Sequence, residues 1–110
     1  MSRDSLGDFE QLLLLAILRC GEDAYGITLR DEIENRTDRS VSLGAIYTAL
    51  DRLEQKGFVS SWTGGAAPER GGRAKRFYRV EAAGQRALYE SLRATKRMTA
   101  GIEQLLGRAS

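Results

Sequence analysis

The longest apolar run in the chain, "LLLLAIL" from Leu12 to Leu18, lies between an acidic lead-in and the stop glycine Gly21. Ser5-Leu6-Gly7-Asp8 ahead of it has capping-box spacing, so a first helix is predicted from about Asp8 to Cys20. Seven consecutive apolar residues leave this helix apolar on nearly every side, whereas a helix on the surface of a monomer shows one stripe. It is therefore expected to have protein on two sides. Leu13, Leu14 and Ile17 are assigned to contact with a second subunit.

The pattern then becomes regular. Tyr25, Leu29 and Ile33 recur at i, i+4, i+8 and predict a helix from about Ala24 to Arg36, with Asp23 as its N-cap. Ser42 is a good N-cap for a third helix, "LGAIYTALDRLEQKG", closed by Gly57. Its buried stripe is Ile46, Ala49, Leu50 and Leu53. Leu43, Gly44, Tyr47, Thr48, Asp51 and Arg52 share the opposite side. "FVSSW" (Phe58 to Trp62) and "KRFYRV" (Lys75 to Val80) switch to strand period. The glycine-rich linker between them makes the pair a hairpin. A last helix is predicted from about Ala82 to Leu106. Its seam of Leu88, Leu92, Thr95, Thr99, Ile102 and Leu106 alternates steps of four and three, the spacing of a helix that packs against a partner. Leu92, Thr95, Thr99, Ile102 and Leu106 are expected at a subunit interface.

Charge adds direction to this outline. The chain of 110 residues carries a formal charge of only +2. Residues 1–40 have five cations and nine acids, while residues 41–80 have seven and three. Five of those cations (Arg70, Arg73, Lys75, Arg76, Arg79) fall within ten residues at the hairpin. A basic section inside a nearly neutral chain points to a polyanion.

Three helices followed by strand, basic loop and strand form the order of a winged helix-turn-helix. The expected fold is thus α+β and mainly α, with a two-stranded wing and a long C-terminal dimerisation helix. Residues 1–81 form the DNA-binding part and 82–110 the dimerisation helix, within one structural domain. The exposed face of the third helix would enter a major groove, about 12 Å wide. Ser42, Gly44, Tyr47 and Thr48 lie near its N-terminal end, and Gly44 lets the backbone approach a duplex closely. The wing cations would reach adjacent phosphates. Arg52 either joins these contacts or pairs with Asp51 or Gln55. Tyr47 either meets DNA or covers the core edge.

The segments "AYGITLRDEI" (Ala24 to Ile33), "VSLGAIYTALDRLEQKGFVSS" (Val41 to Ser61) and "GGRAKRFYRVEAAG" (Gly71 to Gly84) resemble, in order and spacing, the PadR-like transcriptional regulators, in particular their short-chain subgroup. The resemblance implies a homodimeric repressor, dimerised through the C-terminal helix with help from the first. It implies that Tyr25, in the family's Tyr-Gly pair, lies near phosphates, although the residue could equally be a half-buried packing group. It matches Tyr47 to the tyrosine of the recognition helix. It matches Gly71, Gly72, Arg73, Lys75 and Arg76 to the wing. Drug-binding members place a tryptophan in the C-terminal helix, where this chain has Tyr89 and Leu92. Trp62, the only tryptophan, is expected to pack in the hairpin or against the last helix.

Other classes are weaker. With no histidine and a single cysteine, Cys20, neither a zinc site nor a Cys–His nucleophile can be assembled. No catalytic pair or phosphate loop is evident, so no enzyme and no cofactor is expected. Glu10, Glu22, Asp23, Asp31, Glu32 and Glu34 are read as a solvated acidic flank. If the partner were a protein instead of DNA, that flank would be the docking surface. The apolar run falls short of the roughly 20 residues that span a bilayer, and the expected location is the cytoplasm. The expected partners are a pseudo-palindromic operator, a second copy of the chain and a small-molecule effector.

Overall fold

In the computed structural model, residues 6–64 and 74–107 are described. The elements run α1 (Asp8–Cys20), a 3-10 turn (Gly21–Asp23), α2 (Gly26–Thr37), α3 (Leu43–Gln55), β1 (Val59–Gly64), β2 (Lys75–Val80), α4 (Ala82–Thr99) and α5 (Glu103–Gly107). This is the mainly helical winged helix expected from the element order.

The three N-terminal helices enclose the core. Leu13 and Leu14 of α1, Leu29 of α2, and Ile46, Leu50 and Leu53 of α3 are fully buried together, with Phe58, Val59, Tyr78 and Leu88 completing the cluster. At roughly 1.5–3 kcal/mol for each large apolar side chain removed from water, this cluster is what holds the helices to the hairpin.

That arrangement corrects the reading of α1. Leu13, Leu14 and Ile17 are no more than 2% exposed within the chain's own core, so they have no surface left for a second subunit. The outward residues of the run are the half-buried Leu12 and Leu15 and the exposed Leu18.

Local chemistry sets the other boundaries. Gly7 is the N-cap of α1, and Glu10 accepts a hydrogen bond from its N–H at 2.8 Å. Residue Ser5 lies outside the described residues. Helix α2 begins two residues later than expected. Asp23 is taken into the 3-10 turn, and Tyr25 becomes the N-cap, its N–H donating to Thr28 Oγ1 at 3.0 Å. Ser42 caps α3 as expected, accepting from the Ala45 N–H at 3.0 Å.

The hairpin pairs Val59 with Val80, Ser61 with Tyr78, and Trp62 with Phe77. Tyr78 also donates its N–H to the carbonyl of Ala24 at 2.9 Å, so the stretch before α2 forms a short third edge beside β2. The first strand runs on to Gly64, two residues past the expected end.

The C-terminal helix is not continuous. Ala100 leaves helical geometry and Gly101 adopts φ +84°, a left-handed conformation that glycine takes without Cβ strain. Thus α4 ends at Thr99, Ile102 lies in the turn that follows, and Leu106 belongs to the separate short helix α5. The 3.5-residue seam does not follow one straight axis.

At its other end α4 is seated tightly. Glu81 donates its N–H to the carbonyl of Phe58 at 2.8 Å. A Cβ on Gly84 would lie 2.2 Å from that same oxygen, so only glycine lets the first turn of α4 rest on the backbone at Phe58, just before β1.

Candidate nucleic-acid interface

Helix α3 buries Ile46, Ala49, Leu50 and Leu53 and leaves Gly44, Ala45, Tyr47, Thr48, Asp51 and Arg52 exposed. The two faces follow from the 3.6-residue period, with the four apolar positions falling on one side. Ser42 and Thr48 are exposed, and the Ser42 hydroxyl oxygen is engaged in the cap. Gly44 has open space: an added Cβ would meet nothing nearer than Ser42 Oγ at 3.9 Å. The chain's own packing therefore does not require glycine at this position.

Tyr47 bends back toward α2. A Cβ on Gly26 would lie 2.2 Å from the Tyr47 hydroxyl oxygen, so the Tyr-Gly pair and the α3 tyrosine form one fitted contact. The ring remains 42% exposed. It both covers the seam between the two helices and presents a face to solvent.

One face of the hairpin carries an aromatic row. Tyr25 meets Phe77 edge-on at 5.6 Å, and Phe77 stacks with Trp62 at 5.7 Å. Lys75 Nζ lies 4.3 Å over the Tyr25 ring, and the Arg79 guanidinium lies 5.7 Å from the Trp62 ring. Cations held over aromatic faces gain electrostatic attraction to the ring quadrupole. Trp62 accordingly packs within the hairpin. Tyr25 is half-buried, part of this row and not free on the surface.

The opposite face meets α3. Ser61 donates its hydroxyl to Glu54 at 2.8 Å, and Arg76 approaches the same carboxylate at 3.9 Å. Arg76 is thus brought beside α3, while Lys75 stays on the aromatic face over Tyr25, at the start of α2. Gly72 and Arg73, with Arg70 and Gly71, lie outside the described residues.

Glu10 departs most from the sequence reading. It is not part of a solvated flank but is 5% exposed. Its carboxylate takes Lys56 Nζ at 2.9 Å and Arg52 Nε at 3.5 Å. Burial alone pushes its pKa up; the Gly7 N–H, Lys56 and Arg52 outweigh that and hold it below the ordinary carboxylate value. Arg52 therefore pairs with Glu10 on α1, not with Asp51 or Gln55. Sequence reasoning missed this pair because its members are far apart along the chain. The single local signal was an acid at the third position of α1, three residues after its cap.

The remaining assigned residues lie away from α3. Leu92, Thr95, Ile102 and Leu106 are exposed and Thr99 is half-buried. Tyr89, Leu92, Arg93, Lys96, Arg97 and Ala100 line an open groove along α4, with Arg93 over the Tyr89 ring at 5.6 Å. Among the described residues no cluster of three or more metal-ligating side chains occurs, and no helix is long and apolar enough to cross a membrane.

Comparison with known proteins agrees with this architecture. Residues 14–90 match the transcriptional regulator PadR-like family. An uncharacterised protein of Lysinibacillus sphaericus is 31% identical over 86 residues, covering 76% of this chain and 74% of its own. A PadR-like transcriptional regulator from Bacillus cereus superposes with a TM-score of 0.72 at 21% identity, over 89% of this chain and 90% of that one. A PadR family transcription regulator from Clostridium difficile gives 0.70 at 23% identity, over 89% and 98%. A family match across most of the chain, on a fold with an open recognition-type helix beside a cationic hairpin, supports one conclusion: the chain belongs to the PadR-like family of transcriptional regulators, and is a DNA-binding regulator.

Proposed function

We propose that the protein is a homodimeric repressor that binds a pseudo-palindromic operator and is released by a small-molecule effector. The observation that carries this reading is the α3 surface: one face wholly buried, the other open and hydrogen-bonding, with Arg76 alongside and Lys75 over the N-cap tyrosine of α2. In this reading each α3 enters one of two major grooves a helical turn, about 34 Å, apart. Ser42, Tyr47, Thr48 and Arg52 discriminate between bases. Gly44 admits the duplex backbone or base edges close to the helix, and Tyr25 stands near the phosphates. Lys75 and Arg76 neutralise phosphates, together with Arg73 and Gly72 of the loop that joins the strands.

Dimerisation is supported by the apolar surface that the single chain leaves uncovered. Leu92, Met98, Ile102, Leu105 and Leu106 are all at least 40% exposed along α4 and α5. Large apolar residues left exposed in this number point to an interaction surface. Leu15 and Leu18 of α1 take the part first assigned to Leu13, Leu14 and Ile17. The effector would act at the groove along α4, altering the angle between the two recognition helices.

Fluorescence anisotropy with a labelled duplex from upstream of the protein's own gene, against a scrambled duplex, tests the reading. Tighter binding to the upstream duplex is expected, with a steep affinity loss from about 50 to about 200 mM salt as phosphate-bound counterions are exchanged. Absence of binding to any duplex at low salt would refute it.

A further inference from the structure

We propose that Glu10 is a positioning residue for DNA recognition. From the first turn of α1 it anchors the Nε edge of Arg52, so that the rest of the guanidinium is presented, already oriented, to a guanine in the major groove. The inference rests on reading α3 as the recognition helix and concerns a residue that does not itself reach DNA.

The division of labour within the carboxylate supports it. Oε1 accepts both the Gly7 N–H at 2.8 Å and Lys56 Nζ at 2.9 Å, and is fully occupied. Oε2 faces Arg52 Nε at 3.5 Å. Glu10 is nearly enclosed, while the Arg52 side chain remains 54% exposed. Among the described residues this is the guanidinium's one ion pair. Two hydrogen-bonded neighbours therefore set where the carboxylate lies, and the carboxylate draws the Nε edge of the arginine toward it by charge. Its terminal nitrogens are left for a ligand.

The chemistry distinguishes a base edge from a phosphate. Phosphate affinity comes from uncompensated positive charge; the Glu10 carboxylate is shared between Lys56 and Arg52, so only part of the charge of Arg52 is offset. What the pairing adds is direction. Guanine offers O6 and N7 side by side in the major groove, a target that rewards an arginine fork held in one plane. Ordering a flexible side chain before association removes that cost from binding.

The test begins with wild-type protein and a randomised duplex pool, from which bound sequences are selected. Anisotropy at one salt concentration then measures each single-base change in the preferred site. One guanine per half-site is expected to show a loss of about tenfold on replacement by adenine, as for a bidentate contact. Glu10→Gln and Arg52→Lys should each shrink that discrimination to about twofold or less at that position alone. The double variant should lose no more than either single one. Discrimination at the other positions should stay as in wild type, an outcome that a general loss of fold could not produce.

If Glu10→Gln lowers the melting temperature yet keeps the tenfold preference, or weakens all positions alike, the positioning role is overturned. Should Glu10→Gln fail to fold, Arg52→Lys decides, because Arg52 is exposed and a lysine keeps the charge without the fork. Wild-type discrimination in that variant would overturn the proposal. If the wild-type protein selects no sequence at all, the recognition-helix reading fails with it, a result distinct from the loss of a single base preference.

Discussion

Replacing Gly44 with alanine separates what the fold wants from what DNA binding wants. Gly44 is the second residue of α3, a place where glycine is weaker than alanine by about 0.5–1 kcal/mol because of backbone entropy. The added methyl would have 3.9 Å to its nearest neighbour, ordinary van der Waals distance, so nothing in the chain opposes it. Gly44→Ala should therefore stabilise the protein by about 0.5–1 kcal/mol. With an unfolding entropy of roughly 2.1 cal/mol/K per residue, that raises the midpoint of a 110-residue chain by about 2–4 °C. The same methyl would stand where the duplex is to come close, and should weaken operator binding by about tenfold, or 1.4 kcal/mol. Thermal melts followed by helical circular dichroism, at one fixed protein concentration so that any self-association acts equally on both variants, give the first quantity. Anisotropy on the selected duplex gives the second. A stabilised variant that binds as well as wild type would refute close approach at Gly44. A destabilised one would refute the account of α3.

Three further outcomes are expected. Gly84→Ala drives a methyl to 2.2 Å from the Phe58 carbonyl oxygen, and since backbone cannot swing aside it should cost about 1–3 kcal/mol, read as a lower melting midpoint. Gly26→Ala instead displaces the Tyr47 hydroxyl, the far end of a side chain that can rotate away; stability should fall by less than in Gly84→Ala while DNA affinity drops, measured by the same two assays. Glu10 is held below its ordinary value in the folded state, so its contribution is present at neutral pH and is lost as pH falls through the carboxylate range toward its folded value. Denaturant melts from pH 7 down to pH 3 should show wild type losing more stability than Glu10→Gln, and parallel curves would contradict the ion-pair account.

Helix α3 and the hairpin were legible in the sequence because their signals are local. Ser42 marks the start, four apolar residues fall on one face, and the period changes from helix to strand at Phe58. The facing of α1 was not. Seven apolar residues in succession have no phase, so nothing local tells that Leu13, Leu14 and Ile17 turn inward while Leu15 and Leu18 turn out. Nor was the Glu10 cluster, since reading along α3 offers Arg52 only Asp51 and Gln55. The break after Thr99 was hidden for another reason. An isolated glycine inside a helical pattern is commonly tolerated, and only the left-handed geometry of Gly101 turns it into an end.

The seating of α4 has a mechanical consequence. Phe58 accepts Glu81 N–H and lies against Gly84 on one side, and on the other donates its own N–H to the carbonyl of Leu53, near the end of α3, at 2.9 Å. One residue thus links the two helices, and Leu88 of α4, buried in the core, is a second hold. Helix α4, 18 residues long, is a lever arm of about 27 Å, and a displacement of about 2 Å at its tip corresponds to only about 4° at Phe58. A small displacement at the far end of α4 would therefore reach the end of α3 through Phe58 and the three-helix core through Leu88.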